Sequence, residues 1–131
     1  MAFIITDIAD ESKEMVVNAW NWAPTAELIR SLSVLDAHRS ETLRYNLATE
    51  VSADEAKMIG VFIRDEVLVE LKPAQRITLD LTVTEEPDDG TLHREDFAWN
   101  YSGTFDWLKR FSEFCLASHG FKSTEALVGP L

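Results

Sequence analysis

The chain is short of cations, of cysteine and of long apolar runs. Its 131 residues include 12 Lys or Arg against 23 Asp or Glu, a formal net charge of −11 with neutral histidines. Nucleic-acid backbones and anionic membranes recruit surplus Lys and Arg, so neither is expected as a partner. The one cysteine, Cys115, excludes an internal disulfide. Its neighbours Phe111, Phe114 and Leu116 fit a helical pattern and point to a buried thiol, with no cation-rich setting to activate it. No stretch approaches the ~20 apolar residues needed to cross a bilayer. The start, Met1 to Asp7, has a short apolar run without a basic flank, so export is not expected and the cytoplasm is the expected location. There is no G-x-S-x-G, no glycine-rich phosphate loop, no dinucleotide fingerprint and no C-x-x-C pair. His38, His93 and His119 stand too far apart for one element to supply two metal ligands. No cofactor and no metal is therefore expected.

What the chain has is apolar material in quantity: 46% hydrophobic residues, with seven Phe and four Trp. That suffices for one core, and without repeats, low-complexity tracts or linkers a single domain over 1–131 is expected. Phe3 to Ile8 reads as a strand running into the polar turn Asp10-Glu11-Ser12. Met15 to Trp22 reads as a second extended segment, with a helix following from about Pro24 to Leu35, because the residue before proline avoids the α region while proline suits a first helical turn. A further helical piece is expected over about 40–49.

The sharpest boundary is Ser52-Ala53-Asp54-Glu55. The serine hydroxyl can accept the Glu55 backbone N–H while the glutamate reaches back to the serine amide. A long helix over about 53–71 should follow, with Met58, Ile59, Phe62, Ile63, Val67 and Leu71 facing the core until Pro73 ends it. Gly60 within that stripe costs about 1 kcal/mol relative to Ala, which points to close packing against a neighbour. Residues 77–84 alternate apolar and polar and read as one strand displaying Thr78, Asp80, Thr82 and Thr84. Glu85 to Gly90 reads as an exposed loop. The final helix is expected over about 102–118, with His119-Gly120-Phe121 as a glycine cap, and the tail from Lys122 is weakly specified. Helices and strands mix without a βαβ order. The expected class is α+β, a small mainly antiparallel sheet packed against three to four helices.

Three constellations are candidates for function. Asn18, Trp20, Asn21 and Trp22, just before Pro24, would in an extended segment place two indoles on one side beside polar tips. That is either a ligand grip at a helix N-terminus or a core plug beneath the next helix. His93-Arg94-Glu95-Asp96 brings together a histidine, a cation and carboxylates, the elements of acid/base work, although such a tetrad after an acidic turn also suits a solvated edge. Finally Asp80, Glu85, Glu86, Asp88, Asp89, Glu95 and Asp96 place seven carboxylates in 17 residues, opposed by Arg94 alone. This is either a solvated loop or a negative face that steers a basic partner. It lacks the spacing of a calcium-binding EF-hand loop.

The economical reading is a non-catalytic acidic module that binds a basic protein through these carboxylates, with Trp99 and Tyr101 as anchors. In size, acidity and lack of catalytic motif, the chain resembles the immunity proteins that bacteria carry against toxins. That resemblance implies an acidic face covering a cationic site. The alternative is a small-molecule binder or enzyme near Trp20 and Trp22, with Asp80 or His93 as acid/base group. The last helix, with Phe105, Trp107, Leu108, Phe111, Phe114 and Cys115 on more than one face, needs a deep core or a second subunit, so a homodimer is compatible with either reading.

Overall fold

The computed structural model describes residues 2–44, 48–85 and 102–125. Alternation of side chains sets the main sheet. Strand β1 (Ala2–Asp7) turns Phe3 and Ile5 inward, and β2 (Glu14–Asn18) turns Val17 inward. They form an antiparallel hairpin, Ile4 opposite Val16 and Thr6 opposite Glu14. The sheet is completed by β3 (Thr49–Ser52) and β7 (Gly120–Glu125), in the order β2-β1-β7-β3. Its open face carries Ile4, Thr6, Glu14, Val16, Glu50 and Lys122. A smaller sheet, order β5-β4-β6, is built from β4 (Arg76–Thr78), β5 (Val83–Thr84) and β6 (Ser102–Thr104). With α1 (Ala19–Leu32), α2 (Ala37–Arg44), α3 (Ala53–Phe62) and α4 (Phe105–Ala117), the described residues form one α+β fold with two antiparallel sheets, as the sequence implies.

The core lies between the inner face of the main sheet and the helices. Trp22 is fully buried, its ring 5.7 Å from both Phe3 and Phe111, and Phe111 lies 5.9 Å from Phe121, so aromatic edges and faces link α1, α4 and both central strands. Leu108, Phe111 and Cys115 are buried with Trp107. The broad apolar character of the last helix is thus met by a deep core within one chain.

Several elements differ from the sequence expectation. Residues 19–22 are helical, because Asn18 Oδ1 accepts the Asn21 N–H at 2.9 Å and starts α1 five residues before Pro24. Pro24 thus sits inside the helix rather than opening it. The second helix begins earlier, at Ala37, and residues 49–52 are strand; residues 45–47 lie outside the described set. The capping box at Ser52 is present as expected. Its helix stays regular only to Phe62, passes through a π-helical turn over Ile63–Val67, in which Leu68 N–H donates to Ile63 C=O at 2.8 Å, and ends in a turn that still buries Leu71.

Residues 77–84 are not one strand. A tight turn closes between β4 and β5, with Leu81 N–H donating to Thr78 C=O at 2.9 Å and Leu81 at φ 67°. Ile77 is buried and Asp80 and Thr82 are exposed, as the alternation implies, but Thr78 is buried while Leu81 and Val83 are exposed, contrary to it. The final helix is shorter than expected, since 102–104 are strand and Thr104 caps Trp107. Gly120 does take a positive φ, 93°, but it serves β7: a Cβ there would lie 2.6 Å from Val51 C=O. The segment after it is not a loose tail through residue 125; it is a central strand.

Candidate functional site

The Asn18 to Thr25 segment is engaged in holding the fold. Asn18 caps α1, and Asn21 Oδ1 accepts the Thr104 N–H at 3.3 Å, tying α1 to the smaller sheet. Trp22 Nε1 donates to Leu43 C=O at 2.9 Å. Thr25 Oγ1 donates to Asn21 C=O at 2.7 Å and accepts from Trp107 Nε1 at 2.8 Å. The backbone at positions 20 and 22 is helical rather than extended, and residues two positions apart on a helix are about 200° apart around its axis; the Trp20 side chain lies outside the described residues. The buried indole N–H groups of Trp22 and Trp107 therefore have protein partners, as burial requires.

Of the acidic series, Asp80 and Glu85 fall within the described residues, both exposed. Glu86, Asp88, Asp89, His93, Glu95, Asp96, Trp99 and Tyr101 lie outside them. Asp80 shapes the β4–β5 turn: its Oδ1 accepts from the Thr78 hydroxyl and from Thr82 N–H at 3.2 Å. The Thr78 and Thr82 bonds hold its carboxyl below the ordinary range.

Two other carboxylates matter for the architecture. Asp7, 1% exposed, accepts N–H bonds from Ala9 at 2.8 Å, Asp10 at 3.1 Å and His119 at 3.1 Å. Burial alone would raise its pKa, and the three N–H groups outweigh that and lower it. It anchors the start of the β1–β2 turn to the loop entering β7. Glu55 receives both guanidinium nitrogens of Arg39, at 2.7 and 2.6 Å, which brings its pKa down to about 2 against burial. Cys115 is buried and its thiol is pushed far upward, which makes it inert, as expected from sequence.

Among the described residues three concave surfaces stand out, the smallest, of about 280 Å³, between the end of the π-helical turn and α4; the other two are larger. Between α1 and α2 a cleft of about 510 Å³ is lined by Glu27, Arg30, Glu41 and Arg44. Glu27 sits between the two arginines, 3.6 Å from Arg30 and ion-paired with Arg44. Its charges balance within the cleft. The second surface is an open groove of about 820 Å³ between the end of α1 and the outer side of α3. Leu32, Val34, Met58, Val61 and Phe62 give it an apolar floor, with Asp54, Lys57 and Glu66 around it.

Sequence reasoning missed this groove because it assigned Met58 to the core, whereas Met58 is 54% exposed. The available signal was breadth: Met58, Val61 and Phe62 together with Ile59, Ile63 and Val67 cover more than the one stripe that a single core contact needs. Among the described residues no group of His, Cys, Asp or Glu is placed to hold a metal ion, and no helix is long and apolar enough to cross a membrane.

The site is thus defined by a two-sheet α+β fold presenting an apolar groove with charged margins. No protein-family model, curated protein or solved structure matches the chain.

Proposed function

We propose that this protein is a non-catalytic binding module for a basic protein, an inhibitor of the immunity type, and that the groove between α1 and α3 is part of its docking surface. The observation that carries this reading is the groove itself: exposed Met58 with half-buried Val61 and Phe62 beside Leu32 and Val34, flanked by Asp54 and Glu66, with Lys57 as the one cation among its described lining residues, on a chain of net charge −11. An apolar centre with a charged margin is the usual composition of a protein interface. Long-range attraction from the acidic chain would bring a cationic partner to it. The carboxylates from Asp80 to Asp96, with Trp99 and Tyr101, extend the same reading as a second acidic contact region.

The alternative, a small-molecule site at Asn18, Trp20, Asn21 and Trp22, draws less support. The Asn18, Asn21 and Trp22 side chains have protein partners, and Trp22 is fully buried.

Affinity capture from native extract with the tagged full chain tests the proposal. A stoichiometric protein of high pI is expected, with Met58→Lys and Asp54→Lys each reducing its recovery about tenfold or more. Recovery of no basic protein, or recovery indifferent to both substitutions, would overturn the reading.

A further inference from the structure

The geometry points to a second interface, independent of the groove: strand β2 pairs antiparallel with β2 of another copy of this chain, joining two four-stranded sheets into one. The hydrogen-bond alternation shows which backbone groups are available. Asp7 N–H donates to Lys13 C=O at 3.0 Å, so in the β1–β2 ladder Lys13, Met15 and Val17 address β1. Glu14 and Val16 therefore direct their N–H and C=O groups outward. Among the described residues no strand lies beyond β2, and these groups have no backbone partner.

The one charge on the strand is Glu14, at its start, beside Lys13. Edge strands are normally blunted by proline, lysine, an inward charge or a bulge. The segment Glu14-Met15-Val16-Val17-Asn18 has no proline and no lysine, turns Val17 inward, and pairs with β1 in unbroken register. Val16 is 61% exposed at its centre.

The other edge of the same sheet is treated differently. Along β3 the Glu50 carbonyl accepts from Arg39 Nη1 at 3.2 Å, and the Ser52 N–H donates to Glu55 Oε1 at 3.0 Å. Two outward groups on β3, the Glu50 carbonyl and the Ser52 N–H, thus have side-chain partners within the chain, while among the described residues no element covers those on β2.

A second copy fits that edge by charge as well as by hydrogen bonding. With a two-fold axis at Val16, Val16 faces its own copy, Met15 faces Val17, and Glu14 faces Asn18. No like charges oppose one another. The two Glu14 carboxylates stand four residues apart along the ladder, about 14 Å at ~3.4 Å per residue, beyond the ~8 Å screening length at physiological salt. On the open face Ile4 and Val16 of each copy would form one continuous apolar row, since Ile4 already lies opposite Val16. On the helix side, half-buried Met15 would gain the Val17 of the other copy.

Two chains of −11 repel as bodies. Self-pairing should therefore strengthen with added salt, the reverse of the response expected for a basic partner.

Sedimentation velocity of the full chain, from about 1 to 200 µM at low and high salt, tests this. A reversible dimer favoured by salt is expected. Val16→Lys, which places two cations at the axis, and Val16→Pro, which removes an outward N–H and no internal ladder bond, should each weaken it about tenfold or more. Val69→Lys, at a residue 72% exposed, should leave it unchanged. Site-directed crosslinking is a second measure that does not depend on those variants folding. Val16→Cys should give a disulfide dimer far faster than Val69→Cys, because paired positions in such a ladder lie about 5.5 Å apart at Cα. A wild type that stays monomeric over the whole range, a dimer unchanged by both folded Val16 variants, or equal crosslinking at the two cysteines would overturn the proposal.

Discussion

The two edges of the main sheet are close in length and opposite in treatment. At β3 an arginine from α2 reaches the outward carbonyl of Glu50, and the same arginine grips Glu55, which in turn accepts the Ser52 N–H. One network thus engages two outward groups of that edge and caps α3. At β2 the outward groups of Glu14 and Val16 meet no element of the described chain, and an exposed valine sits between them. Fold stability explains the first arrangement. Among the described residues the second serves no contact within the chain, and an unprotected edge persists where something pairs with it or where pairing is harmless. The same division holds for α3: Ile59 and Ile63 serve the core, while Met58 on the outer side serves a groove.

The strongest way to disturb this comparison is at the turn that leads into β2. Asp7→Ala leaves the Ala9, Asp10 and His119 N–H groups without their acceptor and is expected to cost about 3 kcal/mol in urea unfolding. Opening the β3 edge is the next largest change. Arg39→Ala or Glu55→Gln should each cost about 1–2 kcal/mol, and the double variant should cost less than their sum, because both remove one shared interaction.

The acid response follows from the same pair. Glu55 is lowered from 4.5 to about 2 on folding, so it stabilises the fold above pH 4.5, and that contribution is lost as the pH falls from 4.5 toward 2. A urea series over that pH range should show a shallower decline for Glu55→Gln than for the wild type. Gly60→Ala is expected to lower stability by about 1 kcal/mol despite its better helix propensity, since the new Cβ would sit 2.7 Å from Leu116 Cγ and 3.1 Å from the Ser112 carbonyl oxygen. Smallest of all is Val16→Lys, expected to change monomer stability by less than about 0.5 kcal/mol because the residue is 61% exposed. Its effect belongs to association: in hydrogen exchange, the wild-type Val16 amide should gain protection with rising protein concentration and the variant amide should not.

Much of this fold could be read from local chemistry. The Ser52 capping box, the Phe3 strand, the buried Cys115 and the close packing at Gly60 all declare themselves through neighbours within a few residues, and each is present. What escaped depends on partners far along the chain. Gly120–Glu125 has no strong strand pattern of its own, yet it becomes central because β1 and β3 hydrogen-bond it from both sides. Residues 77–84 alternate well, but Asp80 bonds its own neighbours and folds the segment back as a turn. The Trp20 to Trp22 stretch looked extended because of Pro24, and the Asn18 cap overrode that signal. Of the candidate site, the acidity was legible and the groove was not, because a helix carrying two apolar stripes does not say which one the protein itself covers.

Salt dependence of capture is the most direct measurement of the central claim. With the tagged chain in native extract, a basic partner should be retained at low ionic strength and fall away progressively at high ionic strength, because its approach is driven by the −11 charge. Retention of no basic protein at any salt concentration, or retention that does not weaken as salt rises, would contradict the account.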